Sequence, residues 1–145
     1  MRALVTRIHN GRVTVGGEVV GEAGEGIMVQ VAFNREDNES TIKWMVDRVA
    51  HLRIFRGATG KLTDNCVDVA GDALVISNFT LYGDARHGRR PNFDKSAPYD
   101  DAIVKYEAFI KELRTYVKHV GTGQFGGDMT VDVSIWGPAN VIIDN

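Results

Sequence analysis

The stretch "ISNFTLYGDARHGRRPNFDK", residues 76 to 95, sets two hydroxyls and an amide, Ser77, Thr80 and Asn78, just ahead of Arg86, Arg89, Arg90 and Lys95. The hydroxyls and amide lie on or beside an apolar run, where a buried polar group costs about 1 to 3 kcal/mol unless it is hydrogen-bonded. Either neighbouring backbone at a strand end satisfies them, or a ligand does. Four cations in one loop form a local basic patch that can hold phosphates, although a solvated surface loop is the plainer alternative. Because the strand runs straight into that loop, hydroxyls, amide and positive charge can converge on a single ligand.

Other chemistry-bearing patterns lead nowhere. "GTGQFG", residues 121 to 126, spells a dinucleotide fingerprint, but that fingerprint needs a strand before it and a helix after it. Here the expected order is helix, motif, strand. His9, His51, His87 and His119 have no metal-ligand spacing, and His51 and His119 are expected near helix C-termini. Cys66 is the only cysteine, which excludes an internal disulfide and a paired-cysteine zinc site and fits a reducing cytoplasm. No metal and no cofactor are expected.

The elements that must position these residues follow from periodicity. Residues 2 to 8 read as a strand, and "RVTVGGEVVGE" as a hairpin turning at Gly16-Gly17. "GIMVQVAF", residues 26 to 33, suits a strand buried on both faces. Ile42, Met45, Val46, Val49 and Leu52 mark a first helix, with Asp37, Asn38 or Ser40 as its N-cap. "LRIF" and "CVDV" read as short strands, and residues 72 to 82 as the strongest buried strand. Ser96 or Ala97 with Pro98 opens a second helix, whose core face is Ile103, Tyr106, Phe109, Ile110, Leu113 and Val117. Two strands, 128 to 135 and 139 to 143, are expected to end the chain, separated by Gly137-Pro138. A proline inside a strand pattern marks an edge, a bulge or a break.

These elements make one α/β domain over residues 1 to 145: a mixed, largely antiparallel sheet or barrel-like core with two packed helices. Hydrophobic content of 43% with a formal net charge of -2 fits a globular protein and argues against one that coats nucleic acid over its whole surface. No segment approaches the roughly 18 apolar residues of a membrane span.

Taken together, "MRALVTRI", "VTVGGEVVGE", "HLRIF", "ISNFTLYGDARHGRRPNF", "APYDDAIVKYEAF" and "TGQFGGDMTVDV" resemble the D-aminoacyl-tRNA deacylase family in order and spacing over almost the whole chain. The resemblance implies hydrolysis of the ester joining a D-amino acid, or glycine, to the terminal adenosine of tRNA. It also implies a homodimer in which the Gly137-Pro138 loop, with a cis peptide, enters the partner's active site and excludes L side chains. Ser77, Asn78, Phe79 and Thr80 become the catalytic segment, with backbone N–H groups around Phe79 and Thr80 as an oxyanion site that dispenses with a catalytic triad. Arg86, Arg89, Arg90 and Lys95 become the tRNA contacts, and Phe125 and Met129 candidates for an adenosine pocket.

This chain departs from the family pattern at three places. Ile135 and Asn140 replace the polar residues that usually flank Gly-Pro, and Asn78 replaces a glutamine. A relative that binds the tRNA acceptor end without turnover is therefore the second expectation.

Overall fold

The computed structural model describes residues 1 to 145. β1 (Arg2–Val15) and β2 (Glu18–Ala23) form the first hairpin, and Gly16 and Gly17 close it at φ 57° and 86°, the positive values that such a turn demands. β1 is one long strand because it serves two neighbours in turn. Its residues 2 to 8 pair with β3 (Gly26–Ala32), and residues 11 to 15 pair with β2.

The other edge of β1 carries β8 (Thr130–Asp144) along nearly its whole length. The two expected C-terminal strands are thus one. Thr6 pairs with Asn140 and Ile8 with Ile135, so residues 136 to 139 bulge out opposite Arg7. A bulge frees those residues from the ladder, which is how a proline that cannot donate is tolerated inside a strand.

β6 (Asp72–Ser77) lies parallel between β3 and β7 (Val120–Thr122), giving the order β2-β1-β3-β6-β7 with β8 on the outside of β1. The sheet curls until β2 approaches β7. A Cβ at Gly21 or Gly121 would run into the backbone of Thr122 or Glu22, so the two strands can come this close only through glycine. The result is a nearly closed barrel.

β4 (Phe55–Arg56) and β5 (Leu62–Asp64) make a separate small hairpin, so only the end of "LRIF" is strand. "CVDV" is not a strand at all. The Asn65 carboxamide oxygen accepts from the N–H groups of Val67 and Asp68, which folds the segment into turns.

α1 (Glu39–Ala50) starts at Asn38, whose side chain accepts from Ser40 and Thr41 N–H while the Thr41 hydroxyl accepts from Asn38 N–H. α2 (Tyr99–Leu113) starts at Pro98, with Asp100 and Asp101 in its first turn. Both helices pack on one face of the sheet over a core that includes Val29, Val75, Met45 and Phe109. The opposite face curls around a smaller cluster of Ile8, Val13, Ala23, Met28, Leu74 and Ile76. Leu52 lies beyond the end of α1 and Ile103 is half-buried, so each takes a rim position in place of a core one.

The site segment leaves the sheet earlier than the apolar run of residues 72 to 82 suggests. Val31 pairs with Ser77 and Val31 O then accepts from Asn78 N–H (2.8 Å), but the next carbonyl along that edge, Phe33 O, accepts from Ala97 N–H (2.8 Å) instead. β6 therefore stops at Ser77, and Phe79–Tyr82 winds into a 3-10 turn where a strand to residue 82 was expected.

Candidate active site

Where β3 and β6 end side by side and α2 begins, a cleft of about 720 Å³ opens. Ser77, Asn78 and Phe79 form one wall, and Phe125 and Met129 of the β7–β8 connection form another. Five of the sequence-derived candidates thus meet in one place. Thr80, Gly137 and Pro138 do not line it. Phe125 also packs as core, with its ring centroid 5.1 Å from Tyr99 and 5.4 Å from Tyr106, and Met129 abuts the smaller core cluster.

The polar groups of the segment are organised by Asn78. Its carboxamide oxygen accepts from Thr80 N–H (3.1 Å) and from the Thr80 hydroxyl, and its NH2 donates to Gln30 Oε1 (2.7 Å). The first N–H groups of a helical turn have no partner within it. Thr80's is taken by the Asn78 cap, which leaves the Phe79 N–H used by neither ladder nor cap. Ser96 Oγ donates to Phe79 O (3.0 Å) and Arg2 donates to Leu81 O (2.8 Å), so the turn is pinned from outside as well. Thr80 gives its one hydroxyl proton to a carboxamide, which is far too weak a base to accept it outright, and nothing here activates Thr80 as a nucleophile.

The Gly137-Pro138 peptide is cis, with Gly137 at φ 129°. The polar anchors missing from its flanks are replaced by residues that sequence reasoning did not single out. The Arg7 guanidinium lies over the Trp136 ring at 4.6 Å, donates to Trp136 O (3.1 Å) and donates to Ile54 O (2.6 Å). His9 stacks on Trp136 at 4.6 Å. On the far side of the bulge, Thr6 Oγ1 donates to Asn140 Oδ1 (2.8 Å), so Asn140 does anchor the loop, as an acceptor. Arg7 is only 5% exposed and has no acidic partner; carbonyls and an aromatic face take its place. The signal for it in the sequence was a cation in the alternating apolar pattern of "MRALVTRI".

In the basic loop the four cations are not equivalent. Asp84 accepts from the Arg86 side chain and backbone, which holds the Asp84 carboxyl well below the usual carboxylate range and raises the Arg86 pKa. Arg89, Arg90 and Lys95 are exposed and make no ion pair in the protein. Arg86 thus shapes the loop, and the other three carry its uncommitted charge.

The remaining motifs stay apart from the cleft. After "GTGQFG" the chain enters β8, with no helix to receive a pyrophosphate. His51 caps α1 and His119 contacts Glu22 O across the barrel seam. Burial pushes the Cys66 thiol up to about 12.

The sequence model of the D-Tyr-tRNA(Tyr) deacylase family matches residues 4–144. This chain belongs to that family. It is 44% identical over 144 residues to the D-aminoacyl-tRNA deacylase of Heliobacterium modesticaldum, covering 99% of this chain and 96% of that one. It is 45% identical over 145 residues to the D-aminoacyl-tRNA deacylase of Thermus aquaticus, covering 100% and 95%. Among solved structures, a c-Myc DNA unwinding element binding protein superposes with a TM-score of 0.94 at 32% identity, covering 100% of this chain and 99% of that one. A structure described as a probable eukaryotic D-amino acid tRNA deacylase shares the fold, with a TM-score of 0.87 at 19% identity, covering 99% and 98%.

Proposed function

We propose that this protein hydrolyses the ester between a D-amino acid and the terminal adenosine of tRNA, releasing the free amino acid and the tRNA. The observation that carries this reading is the uncommitted N–H of Phe79, a residue that lines the cleft, in a chain of the deacylase family. Water adds to the ester carbonyl carbon, and the oxygen that becomes negative is held by the Phe79 N–H. The carbon–oxygen bond to the ribose then breaks, and the ribose oxygen leaves with a proton, assisted by the neighbouring 2′-hydroxyl of the substrate. Ser77 and Thr80 position the segment rather than attack. Phe125 and Met129 flank the adenosine.

Stereochemical selection belongs to the Gly137-Pro138 loop of a second copy, whose backbone carbonyls capture the α-ammonium and leave no room for an L side chain. In favour of a homodimer, Gly137 and Pro138 are exposed, and β8 is a 15-residue edge strand that pairs only with β1. Exposed Phe79, Ile135 and Ile142 are further groups that a partner would cover. Glycine, which has no side chain to exclude, is accepted from mischarged tRNA-Ala. Arg89, Arg90 and Lys95 hold acceptor-end phosphates. The enzyme works in the cytoplasm, consistent with a lone buried cysteine; no helix is long and apolar enough to cross a membrane.

The deciding experiment incubates the purified protein with D-tyrosyl-tRNA and L-tyrosyl-tRNA. Rapid release from the D form alone is expected. Background release from both, with retained RNA binding, would establish the binding-only alternative.

A further inference from the structure

β3 has one position that is not buried, Gln30, and it lines the cleft. Gln30 pairs with Ile76 across the parallel ladder, and side chains two apart along a strand share a face, so residue 78 emerges beside Gln30. The hydrogen-bond directions between them are forced. A backbone N–H can only donate, so the Asn78 atom that faces Thr80 N–H is Oδ1. The NH2 end is then the one facing Gln30, which must answer with Oε1.

We propose that Gln30 is a positioning residue for the reaction: its carboxamide oxygen holds the Asn78 amide in the one orientation that caps the 3-10 turn and thereby aims the Phe79 N–H into the cleft. The proposal rests on the deacylase reading above. The terminal torsion of an asparagine is broad and roughly two-fold, so without an acceptor at Gln30 the amide swings freely and Oδ1 leaves Thr80. The turn then loses its cap while the strands that carry it remain paired. Such loosening harms the transition state, where an oxyanion needs its donor already in place, more than it harms tRNA binding.

The test compares single-turnover hydrolysis of D-tyrosyl-tRNA at saturating enzyme for wild type, Gln30→Met, Gln30→Glu, Asn78→Ala and the Gln30→Met/Asn78→Ala double variant, at a salt concentration that suppresses charge repulsion. In parallel, hydrogen exchange at the Thr80 amide is followed by NMR. Gln30→Met keeps the side-chain shape and removes the carbonyl; its maximal rate is expected to fall about three- to tenfold with half-saturation changed by less than about twofold, and its Thr80 amide to exchange faster. Gln30→Glu keeps the acceptor and should stay within about twofold of wild type. Adding Gln30→Met to Asn78→Ala should cost less than a further factor of about two, because the partner through which it acts is already gone.

Full activity and unchanged Thr80 exchange in Gln30→Met would overturn the proposal. So would multiplying losses in the double variant, or a Gln30→Glu loss equal to that of Gln30→Met, since either means that Gln30 touches the substrate directly. If Gln30→Met does not fold by thermal melt, Gln30→Leu carries the same comparison. A wild type that hydrolyses neither tRNA overturns the deacylase reading itself, and Thr80 exchange then still decides whether Gln30 orients Asn78.

Discussion

Arg7 shows what a single residue can do in this protein. It is buried, it spans from Ile54 O to Trp136 O, and its guanidinium lies on the Trp136 ring, so it ties the base of the Gly137-Pro138 bulge to the helix–hairpin junction. Arg7→Met keeps most of the apolar stem and removes the fork. We expect the L-tyrosyl-tRNA exclusion to relax and activity on D-tyrosyl-tRNA to fall at least about tenfold, with the melting profile as the control for folding. Cys66 makes a contrasting prediction. Burial, with Asp72 adding a smaller push, raises its pKa to about 12, so at pH 8 almost none of it is thiolate. A thiol reagent should leave the native protein unlabelled over the time in which it labels the unfolded chain completely.

At the scale of elements, the 3-10 turn is held between β6 and the two chain-end strands. Arg2 donates both to Leu81 O and, in a two-point contact of 2.7 and 2.9 Å, to Asp144 of β8. Hydrogen bonding from Arg2 lowers the Asp144 pKa, so the contribution is present above the ordinary carboxylate range and is lost as pH falls through the lowered value. The pair is largely exposed, which limits its worth. Asp144→Asn should therefore cost less than about 1 kcal/mol at pH 7 in urea unfolding, with the difference from wild type vanishing in strong acid. A difference that persists at low pH would contradict this assignment. α1 offers a second element-scale check: Asn38→Ala removes a capping box and should cost about 1 kcal/mol.

At the scale of the whole molecule, the helices are joined to the sheet through Phe109, which is fully buried in the larger core. Phe109→Ala should destabilise by about 3 to 5 kcal/mol, read by denaturant midpoint. The tRNA reading makes an electrostatic prediction of similar reach. Arg89 and Arg90 are exposed and unpaired, so replacing both with alanine should weaken tRNA binding and flatten its logarithmic salt dependence by roughly 1.4 to 1.8. An unchanged slope would remove the basic loop from the binding surface. Assembly is checked by solution mass at micromolar concentration, where a dimer is expected and a monomer would leave the Gly137-Pro138 loop without a site to enter.

The first three strands, the body of β6, both helices, the Gly16-Gly17 turn and a choice of three N-caps that included Asn38 were legible in the chain because each is decided by local spacing of apolar residues and by side chains acting on backbone a few positions away; the short β5 and β7 carry no such spacing and were not. So were Ser77, Asn78 and Thr80 as a polar segment at an apolar strand, whereas Phe79 entered only through the family resemblance. Three things depended on contacts between distant residues, and only the tertiary structure decided them. β6 stops at Ser77 because the next carbonyl on the edge of β3, Phe33 O, is taken by Ala97 N–H just ahead of α2. Gly137-Pro138 is a bulge rather than a break because β1 pairs on both sides of it. What holds that bulge is Arg7 and Trp136, which lie far apart in sequence and meet because two long strands are zipped antiparallel; no periodicity along either segment could have announced it.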